Sequence, residues 1–304
     1  MKPDLRVRLG PLLLPNPVGV ASGTFGYGSE YEQLVDVDSL GALYTKAVTP
    51  EPRAGNHVPR IVETPSGMLN SIGLANPGLA VFVAEKLPGL RSYRCPVIVN
   101  VAGASEDDYR LVVERLEEEE GLAGYEINVS CPNVRHGGLA FGTDPGQVER
   151  LTASLRSCTR RCLIVKLTPN VTDIASVARA AEAGGADALS CINTLVGMAI
   201  DVGRLRPRLA SVTGGLSGPA VRPVGVACVY RAARAVTIPV IGIGGISCTE
   251  DALEYLLAGA QAVQVGTGTF VDPQTAIRVL EGIERWMIER AVSSVRDIAA
   301  LLRT

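Results

Sequence analysis

The sequence predicts an α/β fold: one (β/α)8 TIM barrel over residues 1–304, with an N-terminal β-hairpin and loop insertions on the active-site face. Three observations lead there. Eight short β-rich runs recur along the chain, with helical patterns between several of them. The runs are almost continuously apolar, as strands are in a parallel sheet covered on both faces. No second zone of composition divides the chain, and 304 residues with 47% hydrophobic content suffice for one large core.

In order, Leu5, Val7 and Leu9 alternate with Arg6 and Arg8, and Gly10-Pro11 turns the chain into an apolar run over 12–14, a hairpin. Barrel strands are expected over 18–21, 42–48, 97–101, 125–129, 163–167, 188–192, 240–243 and 262–265. Helical patterns cover 107–118, 145–159, 173–183, 226–235 and 250–257, where residues such as Leu111, Val112 and Leu116 mark the apolar face. Thr172 is the expected N-cap of the third helix, which Gly184-Gly185 ends. Three segments exceed the minimal repeat. Residues 49–78 read as a long proline-rich loop, 132–144 follow the fourth run, and 194–223 carry glycines around alternating stretches that suit a hairpin. Long insertions in a compact domain are usually functional, and these leave the carboxyl ends of strands, where such barrels keep their chemistry.

Composition excludes several classes. A net charge of −2 gives no nucleic-acid footprint, and the acidic run at 117–120 reads as a solvated helix end. Seven cysteines, an odd number, are scattered without a signal peptide ahead of them, so reduced thiols in a cytoplasm are expected. Cys158 and Cys162 lack the paired spacing of a zinc or iron-sulfur site, and the two histidines, His57 and His136, fall in loops, so no metal site is expected. No apolar run is long enough to span a membrane.

The chemistry-bearing stretch is 126–138, Glu-Ile-Asn-Val-Ser-Cys-Pro-Asn-Val-Arg-His-Gly-Gly. It begins as a strand and stops being one at Cys131-Pro132, because proline cannot donate to a ladder and biases its predecessor. A thiol therefore sits at the end of a strand, with Asn128, Ser130 and Asn133 close by. An unpaired cysteine is most often a small buried apolar residue. The other strand ends argue otherwise: they carry Ser22, Lys46, Asn100, Asn128, Lys166 and Asn193. In a closed barrel these converge on one mouth, positively biased and rich in amides, suited to an anionic heterocycle. Gly244-Gly245 and Gly266-Thr267 follow the last two strands, with Ser217-Gly218 ahead of them. Barrels commonly bind phosphate there, through backbone N–H groups and a helix N-terminus. Neither stretch matches a dinucleotide fingerprint or a nucleotide P-loop. A thiol serves as nucleophile or as proton-transfer group; with no histidine in a neighbouring strand, general-base catalysis is expected, with Lys166 near the cofactor.

These residues resemble the class 1 dihydroorotate dehydrogenase family, essentially from end to end. The resemblance rests on Asn128-Val-Ser-Cys-Pro-Asn133, Thr45-Lys46-Ala47, Val165-Lys-Leu-Thr-Pro-Asn170, Ile192-Asn193-Thr194 and the glycine pair at 244–245. The loop over 63–78 is similar to that of subclass 1B, whose catalytic chain works with a separate electron-transfer subunit. The resemblance implies that FMN binds this chain and that FAD and a [2Fe-2S] cluster sit on the partner, in a heterotetramer built on a homodimer. It implies Cys131 as the base removing a C5 proton from dihydroorotate while hydride leaves C6 for the flavin. Substrate would be held by Lys46, Asn70, Ser71, Ile72, Gly73, Leu74, Asn128, Asn133, Asn193 and Thr194. FMN would contact Ser22, Lys46, Ala47, Asn100, Asn128, Lys166 and Ile192, with Gly218, Gly244, Gly245, Gly266 and Thr267 on its phosphate side. Two alternatives stay open: a class 1A-like homodimer reducing fumarate, and a flavin reductase similar to tRNA dihydrouridine synthase. The latter wants a basic surface and an RNA-binding domain, neither visible here. Class 2 enzymes carry a serine base and a membrane-associating extension; with Cys131 in place and the hairpin first, class 2 is not expected.

Overall fold

The eight expected barrel strands close on one another in chain order. The computed structural model describes residues 2–130 and 141–303. Strands β1 (Val18–Val20), β2 (Ala42–Tyr44), β3 (Val97–Val101), β4 (Gly124–Asn128), β5 (Cys162–Leu167), β6 (Ala188–Cys191), β7 (Val240–Ile243) and β8 (Ala262–Val265) form one closed barrel. Each pairs in parallel with its sequence neighbours, and β8 returns to β1 through Val263 opposite Val18. Valine, isoleucine and leucine dominate because both sheet faces are covered; β3 and β5 are buried along their whole length.

Some strands stop earlier than the apolar runs suggest. The run over 42–48 pairs as a strand only to Tyr44, because the Lys46 N–H bonds to Gly26 O at 2.8 Å rather than to a neighbouring strand. The chain leaves the ladder there and bridges β3 again only at Val48, opposite Val101, which frees the Lys46 side chain for the barrel mouth.

The hairpin Val7–Leu9 and Leu12–Leu14 pairs antiparallel. It covers the amino-terminal end of the barrel: Leu9 is buried and its carbonyl accepts from Cys162 Sγ at the start of β5. The outer helices lie close to expectation, at Glu106–Glu117, Pro145–Cys158, Ile174–Ala183, Arg222–Ala235 and Thr249–Leu257. Ser105 and Asp108 close a reciprocal capping box on the first. The N-cap of Ile174–Ala183 is Asp173, not Thr172: its carboxylate, one residue nearer the helix, accepts from Ala175 N at 3.0 Å. Two further helical stretches complete the ring, Thr275–Glu289 and a run from Leu79 to Leu90 that contains a π-turn at Phe82–Lys86. Pro88 and Gly89 break the helical pattern of the second in the sequence.

The expectation of a plain loop over 49–78 is corrected. Ile61–Thr64 and Gly67–Asn70 are paired strands, joined by Leu195–Met198 and Thr213–Ser217 from the other long excursion. Together they form a four-stranded sheet in which Gly215 lies opposite Asn70 and Leu216 opposite Leu69. A strand whose partner lies far along the chain shows little in its own residues, since strand preference depends on what packs against it. This sheet walls one side of the barrel mouth.

Candidate active site

Period-2 alternation along β4 points Glu126 and Asn128 to the barrel interior, while Tyr125 and Ile127 face the helices. Asn100 on β3, Lys166 on β5, Ser190 on β6 and Gln264 on β8 meet them there. Glu126 is fully buried, and Lys166 Nζ lies 3.4 Å from its Oε1. Burial alone would push the Glu126 carboxyl up, but the Lys166 charge and hydrogen bonds from Gln264, Ser190 and Asn100 outweigh it and hold it below the usual carboxylate value. Lys166 also donates to Ser22 Oγ at 3.3 Å.

Above this layer opens a cavity of about 830 Å3. Every expected site residue within the described chain lines it. Ser22, Lys46, Ala47, Asn100, Asn128 and Lys166 come from the ends of β1 to β5. Ile192, Asn193 and Thr194 follow β6, and the segment Asn70 to Leu74 arrives from the overlying sheet. The glycines at 218, 244, 245 and 266, with Thr267, form the far end. Cys131, Asn133 and His136 lie outside the described residues.

The amides are held by one another. Asn193 Nδ2 donates to Asn128 Oδ1 at 3.2 Å and to Ser130 Oγ at 2.9 Å, while its own Oδ1 accepts from Thr194 N. Tyr109 Oη fixes the Asn128 carbonyl at 2.7 Å. Asn70 Nδ2 bonds to Gly215 O at 3.2 Å, tying the two excursions together at the cavity wall. Leu74 takes a left-handed backbone, φ 56°, and its side chain packs against Ala47 and Ala102. Asn76 secures that turn by donating to Leu74 O at 2.7 Å. Lys46 is half-buried, and burial lowers its ammonium below the usual lysine value.

The glycine end is built for an anion. Gly218, Gly244 and Gly245 have φ of 93°, 125° and 68°, a region that favours glycine. A Cβ at Gly245 would lie 2.8 Å from Gly218 O, so only glycine allows the two loops to approach. The 14-residue helix Arg222–Ala235 starts beside them, adding its N-terminal dipole. Thr267 Oγ1 and Ser217 Oγ bond at 2.7 Å across the same end. At the opposite end Asn100 Oδ1 is buried with no donor among the described residues. Glycine backbone and a helix N-terminus at one end of the cavity fit the phosphate of a phosphate-bearing ring. FMN is such a molecule.

A family model described as dihydroorotate dehydrogenase matches residues 4–287. The chain belongs to the dihydroorotate dehydrogenase family. A dihydroorotate dehydrogenase B (NAD(+)) catalytic subunit of Trichlorobacter lovleyi is 54% identical over 302 residues, covering 99% of each chain. The protein of the same description from Thermoanaerobacter pseudethanolicus is 49% identical over 300 residues, again covering 99% of both. Among solved structures, that of DHODH in complex with ferulenol from Eimeria tenella superposes with a TM-score of 0.80 at 25% identity, covering 98% of this chain and 88% of that one. Among the described residues, no helix is long and apolar enough to cross a membrane.

In this dihydroorotate dehydrogenase family member the structure brings three more residues to bear on the site. Glu126 supplies the counter-charge for Lys166, which moderates the expected positive bias of the mouth. Its signal was its even spacing from Asn128 on one strand, but its partners lie on other strands. Asn170 holds the 194–196 loop, donating to Thr194 O at 3.0 Å and accepting from Val196 N at 3.0 Å. Asn56 holds the 70–74 segment through Ser71, reaching its Oγ at 2.8 Å. Asn170 ends one of the stretches that carry the family resemblance, though nothing local marked this role, and Asn56 had no local pattern at all.

Proposed function

We propose that this protein oxidises dihydroorotate to orotate in de novo pyrimidine biosynthesis, as the FMN-dependent catalytic chain of an NAD-linked enzyme in the cytoplasm. What carries the reading is the convergence, in one cavity, of two cations, a set of ring-facing amides and a glycine cradle for an anion. The name borne by full-length relatives supports the NAD-linked form over a fumarate-reducing homodimer.

Each role is assigned to this chain's own residues. The half-buried Lys46 ammonium faces the substrate carboxylate, where exclusion of water strengthens the pairing. Asn70, Asn128, Asn193 and Thr194 donate to and accept from the ring amide groups, with Asn133 as a further partner. Residues 71–74 close over the ring. Cys131 takes the C5 proton as general base. When bound, FMN supplies the two-electron acceptor for hydride leaving C6. Asn100 Oδ1 accepts from the cofactor ring, Lys166 presents a positive charge to it, and Ser22, Ala47 and Ile192 flank it. Gly218, Gly244, Gly245, Gly266 and Thr267 hold its phosphate. In this reading residues 1–304 form one domain, and two copies assemble with two copies of a partner carrying FAD and a [2Fe-2S] cluster.

The experiment is direct. The purified chain should release FMN on denaturation and reduce an artificial dye with dihydroorotate, but hardly reduce NAD until the partner subunit is added. The chain has no glycine fingerprint for a dinucleotide pyrophosphate, which is why NAD chemistry is assigned elsewhere. FAD in place of FMN, or fast NAD turnover by this chain alone, would overturn the proposal.

A further inference from the structure

Glu126 has no role in the reaction as assigned above, and it does not line the cavity. Its carboxylate nevertheless joins four other strands. Oε1 accepts from Asn100 Nδ2 on β3 at 2.7 Å and from Lys166 Nζ on β5 at 3.4 Å. Oε2 accepts from Ser190 Oγ on β6 and from Gln264 Nε2 on β8, both at 2.9 Å. Asn100 and Lys166 line the cavity; Ser190 and Gln264 lie beneath it. The carboxylate is thus anchored from below and acts on two groups above.

Stability alone is a poor reason for such an arrangement, since a buried ion pair contributes little beyond a well-packed apolar equivalent. Chemistry gives a better one. A carboxylate can accept only from the amide nitrogen of Asn100, so Glu126 fixes which way that amide is turned and leaves its oxygen, buried and with no donor among the described residues, as the free acceptor. The same carboxylate and Ser22 take two N–H groups of the Lys166 ammonium, leaving the third for the cavity.

We propose that Glu126 is a positioning residue for the flavin: acting through Lys166 and Asn100, it sets the charge and the hydrogen-bonding polarity that the cavity floor presents to the cofactor ring. This rests on the FMN reading and extends it to a residue that touches neither cofactor nor substrate.

The test compares Glu126→Gln in the native background and in Lys166→Met, measuring the FMN dissociation constant and the reduction equilibrium of bound flavin against a reference dye. Removing a buried negative charge while Lys166 stays cationic makes the floor more positive and favours the electron-rich reduced flavin. The expected shift is at least tenfold toward reduced flavin, about 30 mV for a two-electron couple. In Lys166→Met the unpaired buried carboxyl takes up a proton, so exchanging it for an amide replaces one neutral group with another. There the shift should fall below about twofold. A folded, FMN-loaded Glu126→Gln with the native equilibrium, or equal shifts in both backgrounds, overturns the proposal. If Glu126→Gln does not fold, Ser190→Ala, which reaches Glu126 but not the cavity, is read the same way. A shift of at least about twofold that disappears with Lys166→Met supports the coupling; no shift, or one that persists, overturns it. Native protein that takes up no FMN overturns the flavin reading and this one with it.

Discussion

The Tyr255 hydroxyl donates to the carbonyl of Gly244 at 2.7 Å and lies 3.3 Å from that of Ile243. Tyr255 belongs to the helix Thr249–Leu257 and is fully buried, so a side chain behind the barrel wall braces the glycine pair at the anion end of the cavity. Burial pushes its phenol up, so it remains a donor throughout the ordinary pH range. Tyr255→Phe should lower stability by about 1 kcal/mol, the net value of one hydrogen bond. If the brace orients the loop for phosphate, FMN binding should weaken by roughly five- to tenfold as well. Gly225→Ala should do more, because its Cβ would collide with the Tyr255 hydroxyl and force the ring aside. Denaturant unfolding and fluorescence titration with FMN read the two effects separately. Lower stability with unchanged FMN affinity in Tyr255→Phe would reduce the ring to packing.

Lys46 predicts a pH dependence whose sign follows from its burial. Its folded pKa is depressed below that of the unfolded chain, so the unfolded state binds more protons between the two values. Lys46 therefore opposes folding below its folded pKa, and that cost is relieved as pH rises through it toward the unfolded value of about 10.4. Binding of an anion runs the other way, because it pairs with the charged form. Orotate affinity should be full below the free-protein pKa of Lys46 and fall as pH rises through it, at a lower pH than an ordinary lysine requires. Lys46→Met should weaken orotate about ten- to hundredfold, the scale of one hydrogen bond to a charged group, and flatten the dependence. Calorimetric titration across pH is the measurement. Native pH dependence persisting in Lys46→Met would exclude Lys46 as the titrating group.

Cys131 carries the proton-transfer assignment. A thiol's ordinary pKa is about 8.5, a value that a nearby cation can lower, whereas a serine hydroxyl is far less acidic. Cys131→Ser should keep FMN and orotate binding but slow flavin reduction by about 100- to 10,000-fold, the usual contribution of a positioned general base. Its residual rate should keep climbing with pH beyond the point where the native rate levels off, and Cys131→Ala should be at least as slow without that climb. Anaerobic stopped-flow bleaching of flavin absorbance gives the rates. Near-native reduction by flavin-loaded Cys131→Ala would assign the base elsewhere.

The residues divide by the range over which their signals act. The barrel strands were legible because a strand buried on both faces must be apolar nearly throughout, and that pattern is local. Lys46, Asn100 and Lys166 stood out for the same reason: a polar residue ending an apolar run is visible without its partners. Gly244-Gly245 was visible because backbone at positive φ favours one residue type. The sheet formed by Gly67–Asn70 and Thr213–Ser217 was not legible, since each strand is completed only by the other, and Asn70 meets Gly215 across 145 positions of sequence. Glu126 carries no local mark of its partners. Barrel closure alone brought Asn100, Lys166, Ser190 and Gln264 to its two oxygens, because the pairing of side chains inside a barrel depends on which strands become neighbours and at what height, which no single stretch of chain encodes.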